Sequence, residues 1–97
     1  MAFLPDGQGI YEQAGDFATV ARYGGQGAMS LEPMVTLAAM MTATEHLGLA
    51  ATMSTTLYPP YHIARIMASL DHLSGGRMAW NIVTSFGTFE ARNFGVV

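Results

Sequence analysis

Cysteine is absent from the sequence, which excludes disulfides, thiolate catalysis and cysteine-based zinc sites together. Charge is nearly as scarce: 11% of residues are charged, against about 25% in an average soluble domain. Only four are Lys or Arg, and the formal net charge is −3. With no basic stripe to track phosphates, nucleic acid is not an expected partner. No run approaches the roughly 18 consecutive apolar residues of a membrane helix. The opening Met1-Ala2-Phe3-Leu4 meets Pro5-Asp6 at once, without the basic region and long apolar stretch of a signal peptide. The expectation is a cytoplasmic protein that engages neither nucleic acid nor membrane.

What is present is apolar. Hydrophobic residues make up 51% of only 97 residues, and a chain this short buries a modest fraction of its surface. Such a composition would leave apolar surface exposed if it stood alone, so a larger core, an oligomer or both are expected.

Along the chain, Ala2-Phe3-Leu4 reads as the end of a buried strand, cut at its start and stopped by Pro5-Asp6-Gly7. Residues 7–29 hold six glycines and no sustained periodicity, so a long loop is expected there. Ser30 before Leu31-Glu32-Pro33 makes a helix start, and the helix should run to about His46 with Gly48 as its stop. Its apolar residues cover most of the circumference, which predicts burial on both sides. Leu49–Ser54 reads as a strand, followed by a turn carrying Pro59-Pro60. A second helix is expected from about Tyr61 to Leu73, with Ile63, Ile66, Met67, Leu70 and Leu73 on its inner stripe. His62, Arg65, Ser69 and His72 form the opposite, polar stripe. Gly75-Gly76 ends it, and Met78–Val83 is a third strand. The remainder reads as loop with the start of another helix.

Strands separated by helices of more than ten residues favour a parallel α/β arrangement with right-handed crossovers. The pattern alone leaves open whether this is a doubly wound sheet or a slice of an eight-stranded barrel. Gly25-Gln26-Gly27 fails the dinucleotide fingerprint, and no Walker-type motif exists. Either architecture places chemistry beyond the strands' carboxyl ends, where three polar groups fall. These are Asp6; Thr52 with Ser54-Thr55-Thr56; and Asn81 with Thr84-Ser85. Asp6 before glycine is also a common turn residue, and Thr52 a common strand filler. Asn81 inside an apolar strand needs partners for its amide. His46, His62 and His72 lack metal-ligand spacing, and the eight Met suit core filling.

Longer strings are more specific. Ser54-Thr55-Thr56-Leu57-Tyr58-Pro59-Pro60-Tyr61-His62-Ile63-Ala64-Arg65, then Ala68 through Arg77, then Trp80-Asn81-Ile82-Val83-Thr84-Ser85 closely resemble the luciferase-like flavin monooxygenases. The likeness is to the branch of nitrilotriacetate, pristinamycin-synthase and dibenzothiophene-sulfone monooxygenases. Phe3-Leu4-Pro5-Asp6-Gly7, Leu31-Glu32-Pro33 and Glu90-Ala91-Arg92-Asn93-Phe94-Gly95 extend it over nearly the whole chain outside the 7–29 loop.

The resemblance implies a partial (β/α)8 TIM barrel, residues 1–97 being roughly strands 2–4 of one barrel domain. It implies a two-component monooxygenase that takes reduced FMN from a separate NAD(P)H:flavin reductase and oxygenates a small organic substrate with O2. Carried over position by position, the flavin contacts fall on Asp6 and Thr52, with Asn81 and Thr84 at the next strand end. Pro5 stands where the family has a small residue, and the family's phosphate-gripping tyrosine and serine positions fall beyond Val97. Two other readings are a non-catalytic barrel fragment that associates with other chains and a deazaflavin-dependent reductase of the same superfamily. The Ser69-to-Arg77 run resembles the monooxygenase branch more than the latter.

Overall fold

The computed structural model describes residues 1–7, 22, 31–85 and 87–96. The elements used below are β1 (Ala2–Leu4), α1 (Pro33–Thr42), β2 (Leu49–Ser54), α2 (Pro60–Ser74), β3 (Met78–Val83) and α3 (Thr88–Asn93). The loop expected over 7–29 lies, Gly7 and Arg22 apart, outside the described residues, as does Ser30. Among the described residues, no helix is long and apolar enough to cross a membrane.

The strands form one parallel sheet in the order β1-β2-β3, as an alternation of strands and helices dictates. All six residues of β2 are buried, as befits the middle strand of a parallel sheet. Successive side chains alternate between faces. Leu49, Ala51 and Met53 join Met34, Leu37, Met41, Ile63 and Leu70 in the core beneath the helices. Ala50, Thr52 and Ser54 therefore lie on the other face of the sheet, turned away from α1 and α2.

The first helix departs from expectation at its end and on one side. Glu32 is its N-cap, accepting a hydrogen bond from the Val35 N–H at 2.8 Å, and Pro33 fits the first turn because its missing N–H would have no helical partner. The helix stops at Thr42 instead of His46 because its last carbonyls find other donors. The Thr42 hydroxyl donates to Ala39 O and the Thr44 hydroxyl to Met40 O, both at 2.8 Å. Nor is it buried all round. Pro33, Met34, Leu37 and Met41 face the core, whereas Leu31 and Val35 are 81% and 71% exposed.

The second helix buries Ile63 and Leu70 and half-buries Ile66 and Met67, but Leu73 is exposed and Ser74 is buried in its place. At 100° per residue, Ser74 lies within about 20° of Ile63 around the axis and Leu73 about 80° away. Gly75 and Gly76 close the helix at positive φ, 67° and 83°, with the Gly76 N–H donating to Asp71 O at 2.9 Å. A side chain would be strained at either position.

Arg77 follows directly and ties the amino-terminal edge together. Its guanidinium donates from Nε to Ser74 O (2.7 Å), from Nη1 to Leu47 O (3.0 Å) and the Thr44 hydroxyl (2.9 Å), and from Nη2 to Met41 O (3.1 Å). Its own carbonyl accepts from the Leu49 N–H at 2.8 Å. Arg77→Ala leaves several of these acceptors without a partner and should destabilise the fold by about 2–3 kcal/mol. Arg77→Lys should restore only part of this, since an ammonium lacks the planar fork. Urea midpoints of the two variants and the parent check the expectation.

Candidate functional site

The parallel register decides what meets at the carboxyl edge. Thr52 pairs with Asn81 and Ser54 with Val83, so Thr52 and Asn81 share the face turned away from α1 and α2, two residues short of the strand ends. The Asn81 Nδ2 donates to Thr52 Oγ1 at 3.0 Å, and Thr52 is 5% exposed. This pair answers the amide's need for a partner and keeps capacity in hand: Asn81 retains a carbonyl oxygen and a second N–H, and Thr52 its hydroxyl hydrogen.

Asp6 stands on the rim, two residues beyond β1. Burial, first, and then the field of the Glu32 carboxylate push its pKa above the ordinary 3.8, with a smaller push from Glu90. The Gly7 N–H works the other way by bonding the ionised carboxylate. Tyr58, on the β2–α2 turn, titrates high through burial and then the charges of Glu32 and Asp6, so one electrostatic neighbourhood includes all three. Thr84, the fourth expected residue, follows β3 directly and is exposed. The structure thus joins Thr52 to Asn81 by a direct bond, and sets Asp6 and Thr84 at the neighbouring strand ends.

Further groups at this edge emerge only in three dimensions. Ser54, 2% exposed, accepts from the Ser85 hydroxyl at 2.8 Å and from the Thr56 N–H at 3.3 Å. Glu90 is 7% exposed and accepts from the Gly87 N–H at 3.3 Å. Tyr58 packs edge-on against Phe94, ring centroids 5.1 Å apart, and stacks on His62 at 6.3 Å. Ser54 and Ser85 stood among the polar clusters of the sequence, but nothing in their spacing couples them. A groove between α2 and β3, lined by Met67, Asp71, Met78 and Trp80 among others, lies away from these polar groups and converges on no set of donors. Among the described residues, no group of three or more His, Asp or Glu is placed to hold a metal ion.

Residues 11–97 match the luciferase-like monooxygenase family. Over 97 residues the chain is 56% identical to dibenzothiophene-sulfone monooxygenase of Rhodococcus erythropolis, covering 99% of this chain and 21% of that protein. It is 44% identical to nitrilotriacetate monooxygenase component A of Aminobacter aminovorans, covering 96% and 21%. A crystal structure of riboflavin lyase with modified FMN and its substrate riboflavin superposes with a TM-score of 0.86 at 41% identity, over 98% of this chain and 22% of that one. The chain therefore spans about a fifth of the length of the curated relatives it matches.

The raised pKa of Asp6 carries a consequence for stability. A folded-state value above the unfolded one means that the folded chain holds the proton more tightly. The stabilising contribution is then full below the unfolded value and lost as pH rises through the folded one. Asp6→Asn should accordingly be more stable than the parent at neutral pH, and the difference should close below pH 3.8. Urea midpoints at the two pH values test this; a gap that stays constant with pH would contradict it.

Proposed function

The chain belongs to the luciferase-like monooxygenase family, and from that membership we propose that it forms part of a two-component, FMNH2-dependent monooxygenase acting on a small organic substrate with O2. The observation that carries this reading is the hydrogen-bonded Thr52–Asn81 pair, with Thr52 buried, on the sheet face turned away from α1 and α2 and just below the carboxyl edge. Parallel α/β folds bind ligands at that edge. The donor set there fits a flavin. An amide and a hydroxyl with capacity remaining can satisfy ring carbonyls or a ribityl hydroxyl, and the Asp6 carboxylate can accept from a ring N–H. Thr84 extends the same edge with one more hydroxyl. When bound, reduced FMN supplies the electrons for dioxygen chemistry; Asp6, Thr52, Asn81 and Thr84 hold and orient it.

Residues 1–97 are, in this reading, one portion of a single (β/α)8 barrel, about strands 2–4. Support comes from apolar groups left uncovered on both faces of the sheet. Ile82, on the side of α1 and α2 by its register with Met53, is 62% exposed, and Phe3, on the opposite side by its register with Ala50, is 52% exposed. Further barrel strands and helices, or another copy of the chain, would bury them. A relative named as a component A supports a separate NAD(P)H:flavin reductase as partner. Cytoplasmic location completes the proposal, since that is where reduced nicotinamide cofactors are at hand.

The test is titration of the intact protein with FMN under reducing conditions. Removing one buried hydrogen-bonding group costs on the order of 1–3 kcal/mol, about tenfold to a hundredfold in affinity. Asp6→Ala and Thr52→Val should each weaken binding by that much. Arg77→Ala, at the opposite end of the strands, should lower the melting temperature while its folded fraction binds like the parent. Parental affinity in both Asp6→Ala and Thr52→Val would exclude the assigned pocket.

A further inference from the structure

Between β2 and the chain of β3 and just after it, on the sheet face turned away from α1 and α2, run two polar rungs. The first is Asn81 to Thr52, 3.0 Å. The second lies one pleat nearer the carboxyl edge, where the Ser85 hydroxyl donates to Ser54 Oγ at 2.8 Å. Ser54 is 2% exposed and is fixed on its other side by the Thr56 N–H at 3.3 Å. Ser85, by contrast, lies outside β3, which ends at Val83. The bond therefore joins an anchored residue to the first stretch of chain released from the sheet. Around it, the Thr55 N–H and hydroxyl both donate to Val83 O, at 2.9 and 3.2 Å. Together these contacts bind the end of β3 to the β2–α2 turn, with Thr84 held between two fixed points.

We propose that Ser54 and Ser85 are positioning residues: their hydroxyl pair is a latch that fixes the main chain after β3 against β2, so that Asn81 and Thr84 present their polar groups to a bound flavin in one geometry. This rests on the flavin reading above. The chemistry suits the task. A hydroxyl pair is small enough to sit between adjacent strands and carries no charge whose burial would need compensation. A buried acceptor that has lost its donor is costly, so the closed latch is favoured over the open one. A ligand-binding edge held by such preorganised contacts loses less ordering entropy on binding.

The experiment uses the intact protein with Ser54→Ala, Ser85→Ala, the double substitution and Ser85→Thr, which keeps the hydroxyl. FMN affinity is measured alongside amide hydrogen exchange of the segment from Thr84 to Glu90 and, as a reference, of Leu49 at the Arg77 end. Each alanine variant should bind FMN roughly fivefold to tenfold more weakly, the size of one lost hydrogen bond. Exchange should quicken in the Thr84–Glu90 segment and stay unchanged at Leu49, which a general loss of stability would not produce. The double variant should be no worse than either single one, and Ser85→Thr should approach the parent. Unchanged exchange near Ser85 after Ser54→Ala, additive losses in the double variant, or faster exchange with parental affinity would each overturn the latch. A parent that binds no FMN would instead remove the flavin reading, an outcome separable from the others because it appears before any substitution is made.

Discussion

Carbonyls left over at a helix C-terminus need donors from elsewhere, and two helices of this chain draw on the same side chain. Arg77 reaches Met41 O and Leu47 O around the end of α1 and Ser74 O at the end of α2, while its own carbonyl receives the Leu49 N–H that begins β2. A guanidinium suits this because its donors are fixed in one plane and point in different directions. The starts of β2 and β3 are thereby pinned to each other, with Leu49 level with Met78. Because side chains alternate strictly along a strand, a register slip of one residue would turn every side chain to the wrong face. The meeting of Thr52 with Asn81 at one end of the sheet thus depends on hydrogen bonds made at the other.

The middle strand turns that register into a site. Its sequence is dominated by small residues, Ala50, Ala51, Thr52 and Ser54 among them. On the helix side, Ala51 between Leu49 and Met53 lets Leu37 pack down to full burial. On the other side, the two hydroxyls are what remains to be satisfied, and each is met from β3 or the chain just after it. No buried side-chain polar atom among the described residues lacks a partner. The polar ladder is therefore compatible with a tightly packed strand.

Much of this architecture is legible in the sequence, for identifiable reasons. Leu49–Ser54 and Met78–Val83 are short runs bounded by glycine on one side and polar residues on the other, and both strands occupy the expected residues. Gly75-Gly76 marks the end of α2 because only positive φ continues the chain there. The end of α1 is not legible locally: the donors that stop it include Arg77, more than thirty residues on, and no local window contains it. Leu73 and Ser74 exchange roles because composition favours burying leucine, whereas helix geometry and the bonds of Ser74 to Asp71 O and the Arg77 N–H place serine inward. The candidacy of Asp6, Thr52, Asn81 and Thr84 follows from resemblance and strand-end logic. The bond between Thr52 and Asn81 and the one between Ser54 and Ser85 follow from register, which a single sequence does not state.

The carboxyl edge also shows where folding and ligand chemistry pull apart. Asp6 is held with partial loss of solvent in the field of Glu32 and Glu90, and its raised pKa measures the cost of keeping it ionised there. The strand itself ends at Leu4, and the core contacts of β1 belong to Ala2 and Leu4. A hydrogen-bond donor presented by a ligand would favour the ionised form and offset the same cost, so the free energy withheld from folding reappears as binding. Local features that disfavour the fold and face a ligand edge are where function is expected to reside, and at this edge the carboxylate, the amide–hydroxyl pair and the serine latch occupy three adjoining strand ends.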